Sequence, residues 1–201
     1  MDINFQDAAV GSTQIADRSG RIWTRNGSGA GATVVNDPDH GNVLFLDGKT
    51  WYRTDLTPDM YLNTTNWKMT VEFKPANTTY SKLFSTGDYP SPAGLALSLN
   101  QYPATYIQAF LEQSGTNFQR LMTNLTNSRV WEKVVITREV GKPFTMTVYR
   151  NGVQVAAATL ANFSFGNGSS SSGIVLGTTA GAPGAQMASV YLKSLKIERL
   201  P

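Results

Sequence analysis

Apolar residues recur at every second position through most of the chain, and that period predicts strands rather than helices. From Lys68 onward, Met69, Val71 and Phe73 fall on one face while Thr70, Glu72 and Lys74 fall on the other, as in a half-buried strand. Phe144, Met146 and Val148 alternate in the same way with Thr145, Thr147 and Tyr149, and the run ends at Asn151-Gly152. Both central positions of a type I′ turn need positive φ, which Asn and Gly adopt most readily. A hairpin is therefore predicted, with Val153 to Leu160 as its return strand.

Further strands are predicted at Gly41 to Leu46, Lys82 to Ser85, Gly94 to Leu99, Tyr106 to Glu112, Arg120 to Asn124, Trp131 to Arg138, Gly173 to Leu176 and Ala188 to Glu198. Asp47-Gly48, Gly87-Asp88, Pro90-Ser91-Pro92 and the Gly/Ser tract from Gly166 to Gly173 interrupt them with turn chemistry. Only Asp55 to Tyr61 is suited to a short helical turn. About ten short strands at hairpin spacing predict an all-β fold, an antiparallel β-sandwich of jelly-roll type. There is no internal repeat, and no linker long enough to separate one domain from another, so a single domain over residues 1–201 is expected.

Composition narrows the chemistry. The 201 residues are 41% hydrophobic and 15% charged, too apolar for a disordered chain and too lightly charged for a coiled coil. Without Cys there is no disulfide, thiolate zinc site or cysteine nucleophile, and one His excludes a multi-histidine metal site. The net charge of +3 is dispersed, apart from Arg18, Arg21 and Arg25, whereas a nucleic-acid groove needs clustering; no nucleic-acid partner is expected. No apolar run is long enough to cross a membrane as a helix, so membrane insertion is not expected either. The stretch Met1-Asp2-Ile3-Asn4 does not read as a secretory signal, and synthesis in a cytoplasm is the expectation.

Three segments, in order, resemble one family. His40 to Gly48 followed by Trp51-Tyr52 is similar to the opening strand of laminin-G-like, concanavalin-A-like jelly rolls, where a small apolar strand ends in an Asp-Gly turn. Trp67 to Pro75, with Leu83-Phe84-Ser85 after it, resembles the next strand. Trp131 to Arg138 with Val148 to Val153 resembles the family's tryptophan-led strand and hairpin, and Ala188 to Ile197 its closing strand. Residues 1–36 match only loosely. The resemblance implies the concanavalin-A-like sandwich and leaves function open among lectins, adhesion modules, glycoside hydrolases, polysaccharide lyases and virion proteins.

The residues themselves argue against catalysis. A glycosidase needs two carboxylates about 5 to 9.5 Å apart across a sugar bond. The only carboxylates two positions apart, Asp37 and Asp39, flank Pro38 in a turn, and Glu72, Glu112 and Glu132 each stand alone on a strand. His40 has no Ser or Asp partner identifiable from spacing, and Gly27-Ser28-Gly29-Ala30-Gly31 lacks the Lys of a phosphate loop. Catalytic residues are therefore none.

Calcium is the one ion the resemblance implies, with Asp88 and the Asp37/Asp39 turn as candidate ligands; neither matches a family ligand pattern, and the metal-free state is expected. Sugar binding is favoured, because pyranose C–H faces stack on exposed aromatics while amides and carboxylates bind hydroxyls. Trp51, Tyr52 and Tyr61 lie in turns or at strand ends, but Trp51 and Trp131 are expected in or beside the core. The predicted ligand set is Tyr80, Tyr89, Asn100, Gln101, Tyr102 and Tyr106, in a region that joins loops to strands.

The expected function is non-catalytic binding of a cell-surface glycan. The mix of few charges, no Cys and abundant Asn, Ser, Thr and Gly resembles bacteriophage virion proteins, so a tail or capsid accessory role is the expected setting, with other virion proteins as alternative partners. A structural decoration protein that binds no sugar is the second hypothesis, and a glycan-cleaving enzyme the third. A homo-oligomer is admitted because the long closing strand could supply an edge.

Overall fold

The computed structural model describes residues 1–28, 32–87, 93–99, 106–114, 117–124, 129–168 and 173–201. The strands are β1 (Asp2–Asn4), β2 (Thr24–Gly27), β3 (Thr33–Asp37), β4 (Gly41–Asp47), β5 (Thr50–Thr54), β6 (Trp67–Pro75), β7 (Ser81–Ser85), β8 (Leu95–Leu99), β9 (Tyr106–Ser114), β10 (Asn117–Asn124), β11 (Glu132–Arg138), β12 (Phe144–Arg150), β13 (Val153–Leu160), β14 (Ile174–Leu176) and β15 (Ser189–Arg199). One 3₁₀ turn, Pro58–Met60, falls inside the segment expected to be helical. The strands form two antiparallel sheets. The first runs β13-β12-β11-β6-β15-β4-β3, with β1 also paired to β15, and the second runs β10-β9-β8-β7-β14-β5-β2.

An apolar interior lies between them. Val71 and Phe73 on β6, Val134 and Ile136 on β11, and Met146 and Val148 on β12 are buried, as the two-residue period requires. Opposite them the second sheet contributes Leu83, Leu97, Leu111 and Leu176 to the same cluster. Trp67 is fully buried at the start of β6, where its indole N–H donates to the Leu62 carbonyl at 2.7 Å. The Asn151-Gly152 hairpin forms as predicted, with φ of 49° and 76°.

One expectation is corrected. The closing strand β15 is not an edge: it lies between β6 and β4, so the edges of the first sheet are β13 and β3. Trp131, expected in or beside the core, lies beside it. It is half-buried just before β11, and Trp51, which faces away from buried Tyr52 on β5, is half-buried as well. Strands β1, β2, β3 and β5 add to those the periodicity predicted. They are three to five residues long, and β2 (Thr-Arg-Asn-Gly) holds no apolar residue, so a hydrophobic period cannot announce it.

A pocket on the outer face of the first sheet

Alternation leaves Glu72, Lys133 and Tyr149 on the outer face, because their neighbours Val71, Phe73, Val134 and Val148 point inward. The ladder sets them in one row: Lys133 pairs with Glu72 on β6 and with Tyr149 on β12. Next to Glu72, β15 breaks register. Leu192 pairs with Phe73 and Ser194 with Glu72, so Lys193 is an extra residue, a β-bulge that adds an ammonium group to the face while Leu192 and Leu195 stay in the core. A second shift falls where Tyr149 pairs with Gln154 after Val148 has paired with Ala156. Both irregularities border a pocket of about 450 Å³ whose lining includes His40, Glu72, Trp131, Glu132, Lys133, Tyr149, Asn151 and Lys193.

One wall is built by Asp37. The β3–β4 hairpin turns through Pro38, Asp39 and His40, and Asp37 Oδ1 accepts the backbone N–H groups of Asp39 and His40 at 3.2 Å each. Its Oδ2 accepts from Lys74 Nζ at 2.8 Å and Trp131 Nε1 at 3.3 Å. Burial opposes ionisation of Asp37, but the Lys74 hydrogen bond, the Asp39 N–H, the charge of Lys74 and the His40 contact together hold its carboxyl at about 2. This carboxylate therefore ties the hairpin to β6 and to Trp131. As a result His40 stacks on the indole with centroids 4.3 Å apart. Lys74 Nζ lies 5.2 Å from the centroid of Trp131 and 4.8 Å from that of Tyr191, which in turn stacks on Phe45.

Those rings are committed to protein partners, whereas Tyr149 lines the same pocket and has no ring contact among the described residues. Glu132 also contributes to the pocket's lining, at the start of β11. It shares the inward parity of Val134, its side chain is fully buried against Arg150, and burial raises its carboxyl above the usual range despite that partner.

Of the predicted ligand residues, Tyr80 is half-buried immediately before β7, with Lys82 Nζ 5.5 Å from its ring centroid, and Tyr106 is half-buried at the start of β9. Both belong to the second sheet's side of the molecule. Tyr89, Asn100, Gln101 and Tyr102 lie outside the described residues, as does Asp88. Tyr52 is buried, its hydroxyl donating to the Thr13 carbonyl at 2.6 Å, and Tyr61 sits at the surface. Glu112 is fully buried.

Asp37, Asp39 and His40 do bring ligand-type atoms within 4.8 Å of one another. The set does not fit a resident calcium ion, which takes six to eight oxygen ligands. Asp37 already spends both oxygens on N–H donors, one of them an ammonium group that a dication would have to displace.

The residues that sequence reasoning missed as site components are Tyr149, Trp131, Lys133 and Lys193. The alternation in β6, β11 and β12 already placed Glu72, Lys133 and Tyr149 outward. What it could not supply was the strand order that sets them side by side.

No family model matches the chain, and no curated protein matches it in sequence. Solved structures do. The chain superposes on domain 4 of AbnA, a GH43 extracellular arabinanase from Geobacillus stearothermophilus solved in complex with arabinotriose, with a TM-score of 0.68 at 15% identity, covering 98% of this chain and 90% of that one. It also superposes on the botulinum neurotoxin serotype D binding domain, with a TM-score of 0.63 at 16% identity, covering all of this chain and 48% of that one. The serotype G binding domain gives 0.63 at 13% identity, over all of this chain and 48% of that one. The chain thus spans about half the length of the neurotoxin binding domains it matches. At these identities the likeness is one of fold, and it places the chain among antiparallel jelly-roll sandwiches. No helix among the described residues is long and apolar enough to cross a membrane.

Proposed function

We propose that the protein is a non-catalytic glycan-binding module whose ligand sits in the pocket on the outer face of the first sheet. The observation that carries the reading is Tyr149: an aromatic ring without a ring partner among the described residues, on the wall of a 450 Å³ pocket, beside Lys133, Glu72, Lys193 and Asn151. A sugar needs this combination of an apolar platform and a fringe of hydrogen-bonding groups. The fold neighbours support the class, since one was solved with arabinotriose, and botulinum neurotoxin type C enters cells in dependence on interaction with two ganglioside molecules. Pairing of Asp37 with Lys74 and of Glu132 with Arg150 favours binding over acid–base chemistry, because both carboxylates are engaged by cations. A virion surface as the carrier rests on composition, and the recognition chemistry is the same whichever surface displays the module.

A glycan array with wild type and Tyr149→Ala tests this. The expected result is specific binding that the substitution reduces at least about tenfold, the loss of one stacking and hydrogen-bonding contact. Binding that survives Tyr149→Ala but is lost in Tyr80→Ala or Tyr106→Ala moves the site to the second sheet. A blank array removes the glycan reading.

A further inference from the structure

We infer that the pocket selects an anionic glycan, whose acid group is seated by Lys133 and Lys193 while its ring lies on Tyr149; this rests on the glycan reading above. The charge balance is the first ground. Glu72 is flanked by two ammonium groups, Lys193 at 3.0 Å and Lys133 at 3.9 Å. Asp37 is matched by Lys74 and Glu132 by Arg150, so neither draws on these two lysines, and Asp39 stands beyond His40 on the hairpin. Lys133 and Lys193 therefore share one carboxylate between them. At 3.9 Å Lys133 is beyond hydrogen-bond distance from Glu72, and its side chain is 48% exposed, so among the described residues no acceptor takes its N–H donors and they are open to solvent at the pocket.

The second ground is the backbone. Leu192 and Leu195 both point into the core, and two inward residues three positions apart require an extra residue between them. The chain places that residue opposite Glu72 and makes it a lysine, which neither packs in the core nor extends the ladder. Bulges of this kind re-aim side chains beside binding sites at a cost in pairing. Across the ladder Lys133 pairs directly with Tyr149, so an ammonium group and an open aromatic ring stand at cross-strand spacing. A sugar ring with an anionic substituent is complementary to that pair; a neutral sugar offers the Lys133 ammonium group no charged acceptor.

The experiment is an array in which each acidic glycan, uronate-containing, sialylated or sulfated, is printed beside its neutral parent. It is probed with wild type, Lys133→Met, Lys193→Met and Tyr149→Ala, with thermal melts to confirm that each variant is folded. The inference expects acidic members bound about tenfold or more above their parents, the preference erased by either methionine and weakened by added salt, with carboxylated and sulfated arms reporting which anion is preferred. Equal binding of acidic and neutral members, lost in Tyr149→Ala, overturns the charge selection and leaves the glycan site standing. Binding of neither, or binding indifferent to all three variants, overturns both.

Discussion

The two sheets share a core but treat their outer faces in opposite ways. On β6 burial alternates without a break, and every second residue of β11 and β12 is likewise open to some degree. On β7 and β8 every residue is buried. Lys82 on β7 and Ser98 on β8 therefore lie inside the structure, as do Gln108 and Glu112 on β9, although strand parity alone would send half of such residues to water. A sheet with one open face can build a binding surface from side chains that folding does not need. Strands buried on both sides, as β7 and β8 are, commit their polar groups to the fold.

The largest effect should come from breaking the inner side of the open sheet. Trp67→Ala removes a fully buried indole and leaves the Leu62 carbonyl without its donor, and should cost about 4 kcal/mol of unfolding free energy. Glu72→Gln, five residues on and outward, should change stability by no more than about 0.5 kcal/mol. Urea denaturation of the two variants measures the contrast directly; comparable losses would mean that the outer row is structural and not spare.

Asp37 comes next, because it sits where the open face is fastened. Its carboxyl is held at about 2 against an ordinary 3.8, a depressed value, so its contribution is fully present above pH 4 and is lost as pH falls through 2. The difference is worth about 2 kcal/mol for this mostly buried group. Asp37→Asn should lose that amount at pH 7 and little near pH 2, so the wild-type and variant stability curves converge in acid. A gap that persists unchanged to pH 2 would show that shape, not charge, holds the hairpin against Trp131.

The same contrast explains what could be read in advance. Where one face is open, periodicity gave the strands, the hairpin and the inward residues, and β13 begins and ends at the predicted Val153 and Leu160. Charged and very short strands such as β2 escaped, because their place is set by pairing with β5 and not by their own apolar content. The candidate site was harder. Trp131, a residue of the kind usually taken for core, is drawn outward by an aspartate ninety-four positions earlier in the chain. Lys193 faces the pocket through a bulge that no two-residue period announces. Both are consequences of strand order, which alternation leaves undetermined.

The smallest effect tests the other half of the comparison. Ser98 on β8 is fully buried, and its hydroxyl has no hydrogen-bond partner among the described residues. A buried hydroxyl left unsatisfied costs about 1 to 3 kcal/mol of desolvation, so removing it should recover some of that. Ser98→Ala should therefore stabilise the protein by about 0.5 to 1 kcal/mol, in the direction opposite to most buried substitutions. Thr147→Ala, on the open face of β12, should be near neutral by the same reasoning, because water satisfies the threonine whether or not the chain folds. If Ser98→Ala instead destabilises by more than about 1 kcal/mol, the hydroxyl is satisfied in solution, and the second sheet carries a paired polar layer on its outer side. Such a layer would make that face as specifically organised as the first, and the two sheets would differ in what covers them rather than in how they use their polar residues.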